Sequence, residues 1–257
     1  MDIKSKDDSS SIDFESIRYA LRNPGSVPYY LRNQIRMEWH RWRADSWEEY
    51  YIRMTKQSED PEKWVGPADS FEDMQKWQTD LMLDLGLKSN QTIIDLGCGI
   101  LRGGIPLIEY LDIDNYYGMD ITLKALLEGH RRIHKNRLEM KKPTLIHNSD
   151  LRFRGLQGIK ANWLLAQSVW THLPPENLEQ CLNNMGRALS SNATIVATIH
   201  ETKSSEPEMI GSVDRINIDF AYSLDWIRKT AGEKYSVDHL DVSHPNEQEV
   251  IKLTYLP

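Results

Sequence analysis

Ile93-Ile94-Asp95-Leu96-Gly97-Cys98-Gly99-Ile100-Leu101-Arg102-Gly103-Gly104 decides how the rest of the chain is read. The segment opens as a short apolar run with β-branched residues, which favours a strand. Glycine stops it, and a helical stretch over residues 104–111 follows. An acidic residue, then Gly97 and Gly99, then a helix start make a turn whose backbone approaches a ligand with no Cβ in the way. Backbone N–H groups of the turn and of the helix face that ligand. The segment therefore predicts a nucleotide-like cofactor at the carboxyl end of the first strand.

Working outward, residues 116–120, 144–148, 163–168 and 194–199 read as further strands. Helical stretches over 123–136 and 176–188 lie between them. One more helix, 223–231, and two β-like runs, 235–242 and 250–256, close the chain. Strands alternating with helices mean a doubly wound, mostly parallel sheet covered on both faces. The expected class is α/β, Rossmann-like, with about seven strands. Upstream, a helix over 71–85 ends at Gly86, the residue type favoured just past a helix. The segment from Phe14 is helical in character, with Leu31, Ile35, Trp39 and Trp42 at helical spacing, then Trp47, Tyr50, Tyr51 and Met54. Residues 1–12 are polar. The chain is thus expected to divide into a tail and N-terminal helical cap over 1–70 and a cofactor-binding domain over 71–257.

Composition narrows the partners. The 257 residues are 40% hydrophobic and 27% charged, a globular mix. The net charge of −7 argues against nucleic acid, whose phosphates are held by clustered Lys and Arg. Arg131, Arg132, Lys135 and Arg137 do cluster, but Glu128 and Glu139 sit among them, and the run reads as a solvated helix face. Cys98 and Cys181 build neither a disulfide framework nor a zinc site. No apolar run suits a signal peptide or a membrane span. A soluble, cytoplasmic protein with a small-molecule partner is expected.

The glycine pattern separates cofactors. A dinucleotide fingerprint requires glycine or alanine three residues after its second glycine. Arg102 stands there. A pyrophosphate also disfavours a carboxylate such as Asp95 leading into its loop, whereas a cationic sulfonium and amino group tolerate one. Both points favour S-adenosylmethionine over NAD.

At this point the chain resembles class I methyltransferases that use S-adenosylmethionine. Asp95-Leu96-Gly97-Cys98-Gly99 looks like their first motif. The fuller set Leu101-Arg102-Gly103-Gly104, Ile108-Glu109-Tyr110-Leu111, Tyr116-Tyr117-Gly118-Met119-Asp120 and Gln167-Ser168-Val169-Trp170-Thr171-His172-Leu173 looks like one bacterial subgroup, whose members often accompany glycan or secondary-metabolite genes. Leu101 stands where the generic motif usually has a third glycine. The resemblance implies cofactor contacts from Asp95, Gly97, Cys98, Gly99 and Arg102. It also implies Asp120 on the ribose hydroxyls, with Ile121 beside it. Asp150 would accept from the adenine amino group, Leu151 would flank the ring, and Gln167 would complete the shell. Arg102 could meet the cofactor's carboxylate. Cys98 reads as a small packing residue, not a nucleophile.

Loops at the carboxyl ends of parallel strands line the ligand crevice. His172 follows the fourth strand and is the candidate base for a hydroxyl acceptor, with His200, expected just past the fifth strand, as a second candidate. His244-Pro245-Asn246-Glu247-Gln248 reads as a turn. No carboxylate-rich loop follows the fourth strand, so no metal is expected. The resulting expectation is O-methylation of a sugar, glycan or small polar metabolite. The alternatives are N-methylation of a small amine, NAD-dependent oxidoreduction, or non-catalytic cofactor binding.

Overall fold

The structure is a computed structural model that describes residues 46–55, 60–65, 70–148, 151–211 and 218–257. The expected helical spacing at Leu31, Ile35, Trp39 and Trp42 lies outside these residues, as does Asp150. The chain divides into two compact units, one of residues 1–57 with 209–219 and the other of 58–208 with 220–257.

In the first unit, helix α1 (Trp47–Thr55) carries the aromatic run read from the sequence. Ser46 Oγ accepts the Glu49 N–H at 3.2 Å and so caps its first turn. Trp47 and Tyr50 are buried with ring centroids 5.1 Å apart.

The second unit is built on a sheet. Strands β1 (Ile93–Leu96), β2 (Tyr116–Asp120), β3 (Thr144–His147), β4 (Ala161–Ala166) and β5 (Leu189–Glu201) pair in parallel, in the order β3-β2-β1-β4-β5. Every residue of β1 is buried, as expected for the central strand of a sheet covered on both faces. Asp95 is the exception in chemistry, a carboxyl in an otherwise apolar strand.

The helices cover the sheet with apolar stripes. Helix α2 (Phe71–Asp84) buries Phe71, Met74, Gln78, Leu81 and Met82, and the chain leaves it through Gly86 at φ +99°. Helix α3 (Gly104–Tyr110) buries Leu107 and Ile108. Helix α4 (Leu123–Lys135) buries Ala125, Leu126, Gly129 and Ile133, while Arg132, His134 and Lys135 in its last turn suit the helix dipole. Two of its basic residues are engaged locally, with Arg131 and Arg132 each 3.3 Å from Glu128 and Arg132 also 3.1 Å from Glu62. Helix α5 (Pro175–Met185) starts with proline at its first position. Helix α6 (Leu224–Ala231) is capped by the Ser223 hydroxyl.

The sheet has more strands than the seven expected. Nine are present among the described residues. The two additions are β6 (Glu208–Gly211) and β7 (Ile218–Tyr222). The C-terminal pair, β8 (Tyr235–Leu240) and β9 (Glu249–Tyr255), is antiparallel, and β9 also pairs antiparallel with β5. Strand β5 runs on past Ile199 because its last two residues take a new partner: His200 faces Ala221 and Glu201 faces Tyr222 in β7. His200 is therefore inside the strand, not beyond it.

This topology decides what shares an edge. The parallel strands bring Leu96, Asp120, His147, Ala166 and Glu201 to their carboxyl ends. Strand β9 runs the other way, with Glu249 opposite Ile199. The β8–β9 turn, residues 241–248, consequently returns to the same edge.

Candidate functional site

The loop after β1 is tied to β2. Gly97 and Cys98 both donate backbone N–H to the Met119 carbonyl, at 2.7 and 3.0 Å. Gly99 has φ +53° and donates its N–H to Asp120 Oδ2 at 2.9 Å. That φ favours glycine. A Cβ on Gly99 would also stand 2.7 Å from a Val65 methyl.

Asp120 uses its other oxygen to accept the Thr122 N–H at 2.7 Å. Its carboxyl thus has a turn-forming role, and each oxygen keeps a second lone pair for a ligand hydroxyl. Burial raises its pKa, while the Thr122 and Gly99 N–H groups hold it down. Ile121 accepts from His147 Nε2 at 2.9 Å through its carbonyl. Leu151 has φ +50°.

Asp95 lies beneath this loop. Tyr116 donates to its Oδ2 at 2.6 Å. Gly104 makes that bond possible, because a Cβ there would collide with the Tyr116 hydroxyl oxygen. Leu101 is fully buried at φ +63°. The generic glycine at this position has a physical basis in that φ, and this chain keeps a leucine there for its packing. Cys98 is buried, and burial pushes its thiol pKa well up, in keeping with a packing role.

Arg102 is the most informative side chain. It is 7% exposed. One terminal nitrogen donates to the Val65 carbonyl at 2.6 Å, and the other to Gln167 Oε1 at 3.1 Å. Among the described residues its buried Nε has no hydrogen-bond partner. Burial lowers its pKa to about 10, and Asp95 opposes that. The guanidinium therefore stays protonated, aimed into the edge with donor capacity to spare.

Gln167 follows β4 and is also buried. Its Nε2 donates to Ser168 Oγ at 2.7 Å, and Ser168 Oγ donates to Gln248 Oε1 at 3.0 Å. Gln167 Nε2 also lies 3.3 Å from His244 Nε2. His244 stands edge-on to Trp77, with centroids 4.4 Å apart, and accepts the Asn246 N–H at Nδ1. Burial first, then the charges of Arg102 and His200, lower its pKa to about 4.

Of the two histidines expected near the acceptor, His200 is close enough to His244 for its charge to be felt there. His172 sits in the short turn Trp170–His172, with its backbone N–H on the Val169 carbonyl. The structure thus gathers Asp95, Gly97, Cys98, Gly99, Arg102, Asp120 and Gln167 around one loop. It adds the Val65 carbonyl, and it adds His244 and Gln248, which the sequence reading assigned to a turn. The polarity of His244 and Gln248 beside Pro245 resembles ordinary turn chemistry, and no short-range pattern separates the two roles. Among the described residues, no group of three or more His, Cys, Asp or Glu side chains is placed to hold a metal ion, and no helix is long and apolar enough to cross a membrane.

No family model matches the chain. Solved structures do. A magnesium protoporphyrin IX methyltransferase from Synechocystis with bound S-adenosylmethionine is 14% identical, covering 80% of this chain and 89% of that one at a TM-score of 0.57. A glycopeptide N-methyltransferase is 10% identical, covering 74% and 97% at 0.56. A methyltransferase from Methanosarcina mazei that depends on the same donor is 12% identical, covering 68% and 97% at 0.56. The likeness is one of fold. The mixed, mostly parallel sheet of this chain has the same fold as theirs.

Proposed function

We propose that the protein is an S-adenosylmethionine-dependent methyltransferase. The observation that carries the reading is Arg102, a buried cation with an unpartnered Nε, set beside a glycine loop that is locked to Asp120. An arginine so placed calls for an anion, and the loop beside it suits a nucleoside. The donor's amino-acid carboxylate and ribose meet both needs. The shared fold adds support. In this reading Arg102 binds the carboxylate, while Asp120 accepts from the ribose hydroxyls with Ile121 beside it. Gly97, Cys98 and Gly99 form the floor and Gln167 closes it. Asp150 and Leu151 receive the adenine, and Asp95 faces the cationic end. We also place the chain in the bacterial subgroup with the Leu-Arg-Gly-Gly motif.

The bound donor supplies an activated methyl group on a sulfonium. What the protein adds is contact between donor and acceptor, together with removal of a proton. The acceptor is the hydroxyl of a sugar, glycan or other small polar metabolite, and a histidine at the carboxyl edge takes its proton. Of the two candidates we favour His200, whose backbone is paired in the sheet near the end of β5. Residues 71–257 hold the donor, and the Val65 carbonyl orients Arg102 toward it.

Calorimetry tests the reading. S-adenosylhomocysteine should bind and NAD should not bind comparably. Tight NAD binding without S-adenosylhomocysteine binding would sink it.

A further inference from the structure

We propose that Gln248, flanked by His244, is a positioning residue for Arg102. It acts through Ser168 and Gln167, and it sets the guanidinium for the carboxylate end of the methyl donor. The inference rests on the methyltransferase reading.

The direction of each bond in this chain is fixed by chemistry. Arg102 only donates, so Gln167 must turn its oxygen toward it, as the 3.1 Å contact requires. That leaves Gln167 Nε2 facing Ser168 Oγ, where the hydroxyl accepts at 2.7 Å. The hydroxyl's own proton then points to Gln248 Oε1 at 3.0 Å. Ser168 has little freedom to reorient, because its backbone N–H is held by Thr198 Oγ1 at 2.7 Å. Three side chains in series, from the β8–β9 turn to the cofactor loop, therefore share one polarity. Bonds in series polarise one another, and the effect is larger away from water. Arg102, Gln167 and Gln248 are 7%, 8% and 5% exposed.

Removing the far acceptor has a specific consequence. Without Gln248 Oε1 the Ser168 hydroxyl loses its acceptor, and its bond to Gln167 Nε2 no longer belongs to a series that runs to the β8–β9 turn. Arg102 still requires the Gln167 oxygen, but the amide that presents it is held less tightly, and the guanidinium with it. His244 borders the same amide and is held neutral by burial and by Arg102, so no second cation competes for the anion. The unpartnered Arg102 Nε marks where a ligand is still owed a bond.

The experiment compares two probes by calorimetry: S-adenosylhomocysteine, and 5′-methylthioadenosine, which has the same nucleoside but no carboxylate. Gln248→Ala should weaken S-adenosylhomocysteine about tenfold or more, the worth of one charged-group hydrogen bond. It should leave 5′-methylthioadenosine within about twofold, since no charged contact is lost there. Gln248→Glu keeps an acceptor at Oε1 and should restore most of the loss. Ser168→Ala breaks the same series from the middle and should repeat the Gln248→Ala result, which keeps the test decisive if one variant folds poorly. Equal weakening of both probes would mean ordinary loop packing and overturn the inference. Unchanged binding of both probes in both alanine variants would also overturn it. If the wild-type protein binds neither probe, the methyltransferase reading falls first and takes the inference with it.

Discussion

The Tyr116 hydroxyl donates a 2.6 Å hydrogen bond to Asp95 Oδ2, with both side chains almost wholly out of water. Burial pushes the Asp95 carboxyl up to about 7. The tyrosine bond pulls against that, the Asp120 charge adds to the rise, and Arg102 opposes it. The first strand therefore carries, one residue before its end, a carboxyl poised between its two forms near neutral pH.

This has a pH signature in the apo protein. The folded pKa lies above the ordinary carboxylate value, so between about pH 4 and 7 the folded state holds the proton that the unfolded chain has lost. Stability from this group is greatest below pH 4, falls as pH rises through 7, and then levels off. Asp95→Asn should remove that slope and raise stability at pH 8 by a few kcal/mol at most, roughly 1.4 kcal/mol for each tenfold difference in proton affinity between the folded and unfolded chain. Tyr116→Phe should carry the slope on to higher pH, because it deletes the bond that favours the charged form. Urea denaturation at several pH values reads both. An Asn variant with the wild-type slope would show that Asp95 is not the group responsible.

Leu101 gives an inverted substitution order. It is fully buried, touching the sites of Gly104 and Gly129, and it sits at φ +63°. Truncating a buried leucine costs about 2–5 kcal/mol, and the left-handed backbone costs a non-glycine residue about 1–2 kcal/mol. Leu101→Ala loses packing and keeps the strain. Leu101→Gly loses slightly more packing and sheds the strain. Glycine should therefore be the less destabilising variant by about 1 kcal/mol, the reverse of the usual order in buried helix or strand positions. Equilibrium denaturation decides, and alanine the more stable would show that the backbone there relaxes without cost.

These residues show which parts were legible beforehand. The central strands were, because a strand buried on both faces is an unbroken apolar run, as in Ile93-Ile94 and Trp163-Leu164-Leu165. The loop after β1 was, because strand end, glycine turn and helix start lie within a dozen residues. Strand β7 was missed although Ile218, Phe220 and Tyr222 alternate with Asp219 and Ala221, a period that a five-residue run shows only weakly. Its absence also cut β5 short and put His200 outside the strand. Gln248 and His244 read as turn residues because their partners, Ser168 and Gln167, are 80 and 77 positions away. Local spacing carries no record of such pairing.

For Asp120, the resemblance implies a ribose role. The structure shows a turn role, since both oxygens accept backbone N–H groups. Asp120→Ala leaves two such donors unsatisfied, at about 1–3 kcal/mol for each one that stays buried. Apo stability should therefore fall. If the ribose role holds as well, S-adenosylhomocysteine affinity per folded molecule should drop at least about tenfold, as loss of a charge-assisted bond implies. Denaturation and calorimetry on the same sample separate the two effects. Lower stability with unchanged affinity would leave Asp120 as a loop brace only.

The choice of base rests on the extra length of β5. Because His200 pairs opposite Ala221, its position is set by the sheet, whereas His172 is held by a short turn. A base must keep its geometry through the transition state, which favours the residue on the more rigid element. His200→Ala should then lower turnover by roughly 10² to 10⁴-fold, with little change in S-adenosylhomocysteine affinity. His172→Ala should stay within about tenfold, below a base's contribution. The wild-type rate should climb with pH and level off, and His200→Ala should lose that climb while His172→Ala keeps it. A pH profile lost in His172→Ala instead would transfer the role to His172. If both variants stay within about threefold of wild type, short of any general base's effect, catalysis rests on positioning. An amine, nucleophilic without a base once deprotonated, then becomes the better acceptor, and turnover with small amines against sugars would be the next measurement.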